Sequence, residues 1–192
     1  SDLARKISGK ELLLLLIYTP IDNQINYPIR GRTRLAKMVF LFRQELWGKY
    51  RFDKVIPEDI LPDFEPWKFG PYSKEVFSDI NFLRSVDFLV QRGKDEPASR
   101  EEAIELSRWS EENEDIASVE EYSEEKFQLS DDGVRYINEK GLWDLLSNNQ
   151  KKALRKFKEK MVNAPLYSIL RYVYEKYPEM AEESEIQDRI YT

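Results

Sequence analysis

Between Phe64 and Ser73 the chain reads Phe-Glu-Pro-Trp-Lys-Phe-Gly-Pro-Tyr-Ser, and this stretch restricts the fold more than any other. Trp67 and Phe69 alternate with polar neighbours, which predicts a short strand. Gly70-Pro71 then breaks the strand. Proline fixes φ near the helical value and lacks an N–H that the first turn of a helix would leave unpaired, so Pro71 is expected to open a helix. Val76, Ile80 and Leu83 supply the buried stripe of that helix. The motif Trp67, Phe69, Gly70, Pro71 and Tyr72 therefore reads as structural: glycine relieves a close approach, and the rings pin the junction to the core.

The flanking segments fix the order of elements. A helix is expected over Gly9 to Tyr18, stopped before Pro20 and buried on nearly every side by its run of leucines. Residues 19 to 30 read as a loop. Thr33 is placed to cap a second helix, in which Leu35, Met38, Val39 and Phe42 fall at i, i+3, i+4 and i+7; Gly48 closes it. Phe88 to Gln91 and Lys126 to Leu129 read as antiparallel strands, with residues 92 to 125 inserted between them. Within the insertion, Ser99 and Glu102 have capping-box spacing, and Ile104, Leu106 and Trp109 give a further helix some apolar surface to dock. Helices are also expected over Asp131 to Lys140, over Asn148 to Val162 behind the capping box Ser147 and Gln150, and over Pro165 to Tyr177. This order predicts an α+β, mainly α fold: a winged helix-turn-helix core with a small antiparallel sheet, an acidic insertion in the wing and extra C-terminal helices. We expect residues 1–146 to form the winged-helix domain, 147–178 a helical extension packed on it, and 179–192 a loose polar tail.

Composition narrows the chemistry. Hydrophobic residues make up 41% of the 192 and aromatics 13%, enough for a real core. Cysteine and histidine are both absent. That excludes disulfides, thiolate and imidazole zinc sites, and every nucleophilic triad built on histidine, leaving carboxylate, lysine or tyrosine chemistry. No cofactor is expected. Net charge is −6, but its distribution is uneven: residues 94 to 125 hold thirteen acidic side chains against three basic ones, a charge of −10, so the remainder of the chain stands at +4. The apolar run Leu12 to Tyr18 follows Arg5, Lys6 and Lys10 as in a signal peptide, yet seven residues without a small-residue cleavage site are too few to span a bilayer. A membrane partner is not expected and a cytoplasmic protein is. The chain opens on Ser1, so the native start is expected to lie upstream or to have been processed.

The basic residues suggest a partner. Arg30, Arg32, Arg34 and Lys37 cluster at the start of the second helix, where guanidinium groups and free backbone amides could grip phosphates. Arg34 and Lys37 lie off the apolar stripe and are expected to face outward; the plain alternative is a solvated helix face. In a winged helix the third helix enters the DNA groove, which would present Ser73, Lys74 and Asn81 to base edges, with Ser78 beside them and Arg84 near the end. Glu75 and Asp79 share that helix and repel phosphate, so packing or protein contact is the competing role. Lys151, Lys152, Arg155, Lys156, Lys158 and Lys160 form the densest basic run, readable as a phosphate-binding shoulder or as lysines that snorkel round a core-facing stripe. The acidic insertion reads as a solvated loop, as a shield over the molecule's own basic surface, or as a mimic of nucleic acid toward a basic partner.

Three short segments in this order carry a resemblance: Gly31-Arg-Thr-Arg-Leu-Ala-Lys-Met-Val-Phe-Leu, Phe69-Gly-Pro-Tyr-Ser-Lys-Glu-Val, and Leu129-Ser-Asp-Asp-Gly133. Over residues 9 to 140 the chain resembles the YwgA-like winged-helix proteins and is similar, more distantly, to the Panacea (SocA-like) group of antitoxins and proteolytic adaptors. The resemblance implies a prokaryotic cytoplasmic protein with a helix-turn-helix core and no catalytic residues to carry over. The long insertion and the helices beyond 147 depart from small antitoxins. The leading expectation is therefore a non-enzymatic, DNA-binding regulatory protein, able to homodimerise. The alternative is an antitoxin or adaptor that binds a protein such as a toxin or a protease component. A weaker one is a magnesium-dependent nuclease using Asp63, Glu124, Glu125 and Lys126.

Overall fold

The computed structural model describes residues 5–92, 100–112 and 125–184. Helix α1 (Gly9–Tyr18) begins with a complete capping box: the Ser8 side chain accepts from Glu11 N–H, and the Glu11 carboxylate accepts from Ser8 N–H. Leu12 to Ile17 are all buried, so α1 is the central rod of the core. Its last turn ends where the Thr19 hydroxyl donates to the Leu15 carbonyl.

Strand β1 (Ile29–Arg30) follows, inside the segment expected to be a loop. Two residues are too few to show a period, and β1 is held largely from outside. Ile29 and Arg30 pair with Phe127 and Lys126 of β5 (Lys126–Leu129), and the Asn26 side chain clamps the Leu129 backbone through both its amide and its carbonyl oxygen. Helix α2 (Arg32–Leu41) runs on through a π-helical turn, Phe42–Leu46. A hairpin of β2 (Glu65–Trp67) and β3 (Gly70–Tyr72) leads to α3 (Lys74–Ser85), β4 (Leu89–Arg92), α4 (Arg100–Glu112) and β5. The sheet order is β1-β5-β4, all antiparallel. Helix, strand, helix, helix and a two-stranded wing closing on the first strand make a winged helix, with α4 carried between the wing strands. The C-terminal part consists of α5 (Asp131–Lys140), α6 (Asn148–Asn163) and α7 (Leu166–Lys176).

The Phe64–Ser73 junction differs from expectation: the single strand expected through Trp67 and Phe69 is a hairpin, with Lys68 and Phe69 in its turn and Gly70 opening the second strand. Pro71 sits in β3, and α3 starts only at Lys74 behind a Ser73 cap whose side chain accepts from Val76 N–H. Proline is tolerated there because β3 pairs on one side only, with β2. Gly70 has φ +86, and a Cβ would come within 3.3 Å of Leu170, so this is where α7 closes on the hairpin. Phe69 and Tyr72 are fully buried and Trp67 is half-buried against them, as expected of structural rings. Gly133 likewise permits a close approach. Ser130 caps α5, and a Cβ on Gly133 would run into the Phe88 carbonyl at the start of the wing.

The C-terminal helices share one core with the winged helix. Leu154, Met161, Leu170, Val173 and Tyr174 belong to the same buried cluster as the α1 leucines. Polar ties reinforce this: the Gln150 side chain donates to the Tyr50 and Arg51 carbonyls, and the Lys158 ammonium donates to the Ile17 and Thr19 carbonyls at 2.6 and 3.0 Å. Lys158 is thus no surface shoulder. It is buried at the end of α1, and burial pulls it down to about 7. Among the described residues no helix is long and apolar enough to cross a membrane.

Candidate functional site

The basic run that begins at Arg30 opens α2, and α2 lacks a cap of its own. Gly31 occupies the cap position with no side chain to offer, and Thr33 lies inside the helix rather than before it. The missing acceptor comes from the insertion: the Glu102 carboxylate of α4 accepts from Arg32 N–H at 2.8 Å. A carboxylate at a helix start satisfies an orphan donor and opposes the helix dipole.

The same helix supplies the partner for Lys37. The Lys37 ammonium contacts both Glu105 oxygens, at 2.9 and 3.1 Å, and neither side chain is more than 1% exposed. Arg32 is 3% exposed; its Nε meets Glu125 at 2.7 Å and its Nη2 meets the Asn81 carbonyl oxygen at 2.6 Å. Arg84 completes the group by donating to the second Glu125 oxygen at 2.6 Å. Burial pushes Glu102 up to about 8, with the charges of Glu125 and Glu105 adding to it and the Arg32 N–H and guanidinium opposing it. Burial likewise pulls Lys37 down and pushes Glu105 up, each opposed by the other's charge.

This arrangement overturns the outward placement of the basic cluster. Lys37 is wholly buried and Arg32 nearly so. The helical period identified the apolar stripe of α2 correctly, but α4 covers the opposite side, so all of α2 except Arg34 is buried. Arg34 is half-buried and clamps the end of α6 by donating from Nη1 to the Met161 and Ala164 carbonyls at 2.7 and 2.5 Å. Arg30 alone of the four is exposed. Helix α4 docks through Glu101, Glu102 and Glu105, with Ile104 half-buried beside them; the Leu106 and Trp109 side chains and Ser99 lie outside the described residues. Arg108 fastens its far end, lying over the Tyr72 and Trp67 rings at 4.1 and 4.7 Å and pairing with Glu65 and Glu112. Among the readings of the acidic insertion, the contacts of α4 with Arg32 and Lys37 fit the shield.

The groups expected to read bases on α3 are similarly committed. Ser73 is a buried cap, Asn81 accepts from Arg32 and Arg84 holds Glu125, while Asp79, expected to repel phosphate, pairs with Lys10 at 3.2 Å. Lys74 remains exposed. Along α6, Lys152, Arg155, Lys156 and Lys160 are exposed, while Lys151 is half-buried 4.0 Å from Asp144 and over the Trp143 ring. The carboxylates of the nuclease alternative are not alike: Asp63 is 90% exposed beside Arg43, whereas Glu125 is buried between Arg32 and Arg84, and Glu124 lies outside the described residues.

Two open features were not legible in the sequence. One is an apolar groove of about 300 Å³ where Phe82 of α3 and Val86 just beyond its end, 48% and 40% exposed, meet Leu83, Phe88, Tyr136 and the side of α1. The other is a basic cleft of about 540 Å³ between β1, β5 and the α6–α7 corner, lined by Tyr27, Arg30, Arg34, Lys126 and Asn163 among others. Neither is contiguous in the chain, so no motif could announce them. Comparison of the chain with protein-family models, with curated proteins and with solved structures finds no match.

Proposed function

We propose that this chain is a non-catalytic winged-helix binding protein whose partner is another protein, engaged through the exposed face of α3. The observation that carries this reading is the character of that face. Its polar side chains at 73, 79, 81 and 84 are tied to the cap, to Lys10, to Arg32 and to Glu125, and beyond the exposed Lys74 and Glu75 of its first turn it offers Phe82 and Val86 at the mouth of an apolar groove. Exposed aromatic anchors beside a pocket are characteristic of protein interfaces, whereas base readout needs free hydrogen-bonding groups. The antitoxin or adaptor alternative fits this surface better than sequence-specific DNA recognition does.

A second reading keeps nucleic acid as the partner through phosphate contacts alone. It is favoured by the four exposed cations of α6 and by Lys74. Photocrosslinking separates the two. Phe82→benzoylphenylalanine, irradiated in cells, should give one discrete adduct that Val86→Asp removes, with none from the same probe at Arg155. An adduct of twice the chain mass would identify the partner as a second copy. No adduct at 82, together with duplex binding that weakens with salt and is lost in Lys152→Ala plus Arg155→Ala, would replace the proposal by the second reading.

A further inference from the structure

Helix α4 meets the rest of the fold as a set of acids meeting a set of donors. Among its described side chains the buried ones are Glu101, Glu102 and Glu105. Glu101 accepts from the Tyr167 hydroxyl of α7 at 2.8 Å, Glu102 from Arg32 N–H at 2.8 Å, and Glu105 from the Lys37 ammonium at 2.9 and 3.1 Å. Positions i, i+1 and i+4 lie on one side of a helix, so donors from α2 and α7 engage a single face of α4. One turn further on, Arg108 lies over the Tyr72 and Trp67 rings at 4.1 and 4.7 Å and pairs with Glu65 of β2. The receiving surface is therefore complementary to a helix that carries acids first and a cation after them.

The rest of the fold is joined without this contact. Strands β4 and β5 pair with each other from Leu89 and Leu129 to Arg92 and Lys126, and the apolar stripe of α2, Leu35, Met38, Val39 and Phe42, lies in the common core. A buried ion pair is close to break-even against the hydration its charges give up, so Lys37 and Glu105 orient α4 more than they hold it. When α4 lifts, both charges regain water and neither is stranded in the interior. An incoming helix with the same acceptors then restores the pairing. We propose that α4 is autoinhibitory: it occupies in cis a surface of α2, α7 and the β2–β3 hairpin that receives an acidic helix of a partner protein, with carboxylates at i, i+1 and i+4 and a basic residue at i+7. Nucleic acid has no cation to place over the Tyr72 and Trp67 rings beside Glu65, and so matches only part of the surface. The α3 face takes no part in this contact.

Fluorescence anisotropy on the full chain tests the proposal with a labelled synthetic peptide that has the sequence of residues 100–112. The resident helix competes at the high effective concentration of a tethered segment, so the native chain should bind the peptide weakly. Arg108 is 20% exposed; Arg108→Glu removes its ring contacts and sets a carboxylate beside Glu65. That change should raise peptide affinity by about tenfold, as expected from the loss of a largely desolvated cation–π contact. The same peptide carrying Glu101→Gln, Glu102→Gln and Glu105→Gln should bind the Arg108→Glu chain about tenfold or more less tightly, because its charge-assisted contacts are gone. Hydrogen exchange on the native chain requires no substitution. The α4 amides should exchange through a local opening, about a hundredfold or more faster than those of Leu13 to Ile17 in α1. Protection of α4 equal to that of α1, a peptide that binds the native and Arg108→Glu chains alike, or a glutamine peptide that binds as well as the acidic one, overturns the proposal. A short DNA duplex that binds the Arg108→Glu chain more tightly than the peptide does also overturns it, in favour of a phosphate-binding surface under α4.

Discussion

Arg32 and Lys37 stand in the same short run as Arg30, yet they live in opposite electrostatic worlds. Arg32 and Lys37 are enclosed and matched, one by Glu125 and Asn81, the other by Glu105. Arg30 lies at a sheet edge facing Lys126, with Arg34 close by. The difference comes from the geometry of α2. Lys37 follows Thr33 by one turn and so lies on the side that α4 covers, while Arg30 precedes the helix in β1 and Arg34 leans toward α6. A cluster of cations in sequence thus becomes a buried seam on one side and part of the lining of an open cleft on the other.

The largest expected effect breaks the seam. Lys37→Ala would leave the Glu105 carboxylate buried without a partner, which should destabilise the fold by about 3–5 kcal/mol; Lys37→Met with Glu105→Leu should recover most of that loss. Arg30→Ala, by contrast, should stay within about 0.5 kcal/mol, as exposed surface changes usually do. Denaturant midpoints for the three proteins decide the matter. Equal losses at Lys37 and Arg30 would show that the seam is no buried charged core.

Next in size comes the response to pH. Glu102 binds its proton more tightly in the folded chain than in the unfolded one, about 8 against an ordinary value of 4.5. Between those two values the folded state holds more proton, so this group's contribution to stability is full below about 4.5 and is lost as pH rises through about 8. The loss should be on the order of a few kcal/mol. Lys158 acts with the opposite sign: its contribution is full above its ordinary value of 10.5 and is lost as pH falls through about 7. Glu102→Gln should therefore flatten the fall in stability between mildly acidic and mildly alkaline pH, as followed by urea unfolding. An unchanged slope would mean that Glu102 is not desolvated at the α2 start.

The fold was largely readable and the site was not, for reasons that particular residues make plain. Periodicity and caps report local preferences, so α1, α5 and α6 were found from the leucine run that stops before Pro20, from Gly141 and from the box of Ser147 and Gln150. Strand β1 was missed because its pairing depends on Phe127 and Asn26, far off in sequence or outside the strand. The basic cluster was misplaced for a related reason. A period marks where apolar residues go, but it is silent on whether the polar side of α2 will be met by an acidic helix from residues 100 to 112. Runs of charge of opposite sign, the acidic insertion and the Arg30 to Lys37 segment, were both visible; that they neutralise each other in the interior is a tertiary fact.

Arg34 sharpens the boundary between seam and cleft. Its guanidinium lines the cleft but is held by two carbonyls of α6, so Arg34→Ala should cost about 1–3 kcal/mol, between the values for Lys37 and Arg30. The unfolding midpoint checks this, and a loss as small as that at Arg30 would place Arg34 wholly with the exposed cations.

The gentlest probe is salt, which distinguishes the two regions without any substitution. At about 0.1 M the screening length is roughly 10 Å, so exposed charges are damped while enclosed pairs are largely protected. Lys37 and Glu105 touch inside the protein, and added salt has little water there through which to act. Arg30 and Lys126 face each other at the edge of an open cleft, where salt should relieve their repulsion. The free protein is therefore expected to gain slightly in melting temperature, by about one degree for a few tenths of a kcal/mol in a chain of this size. Lys126→Gln should remove that gain, because it removes the repulsion that salt relieves. A melting temperature that falls with salt would instead mean that the matched pairs are open to solvent, and the contrast between the two halves of the basic run would disappear.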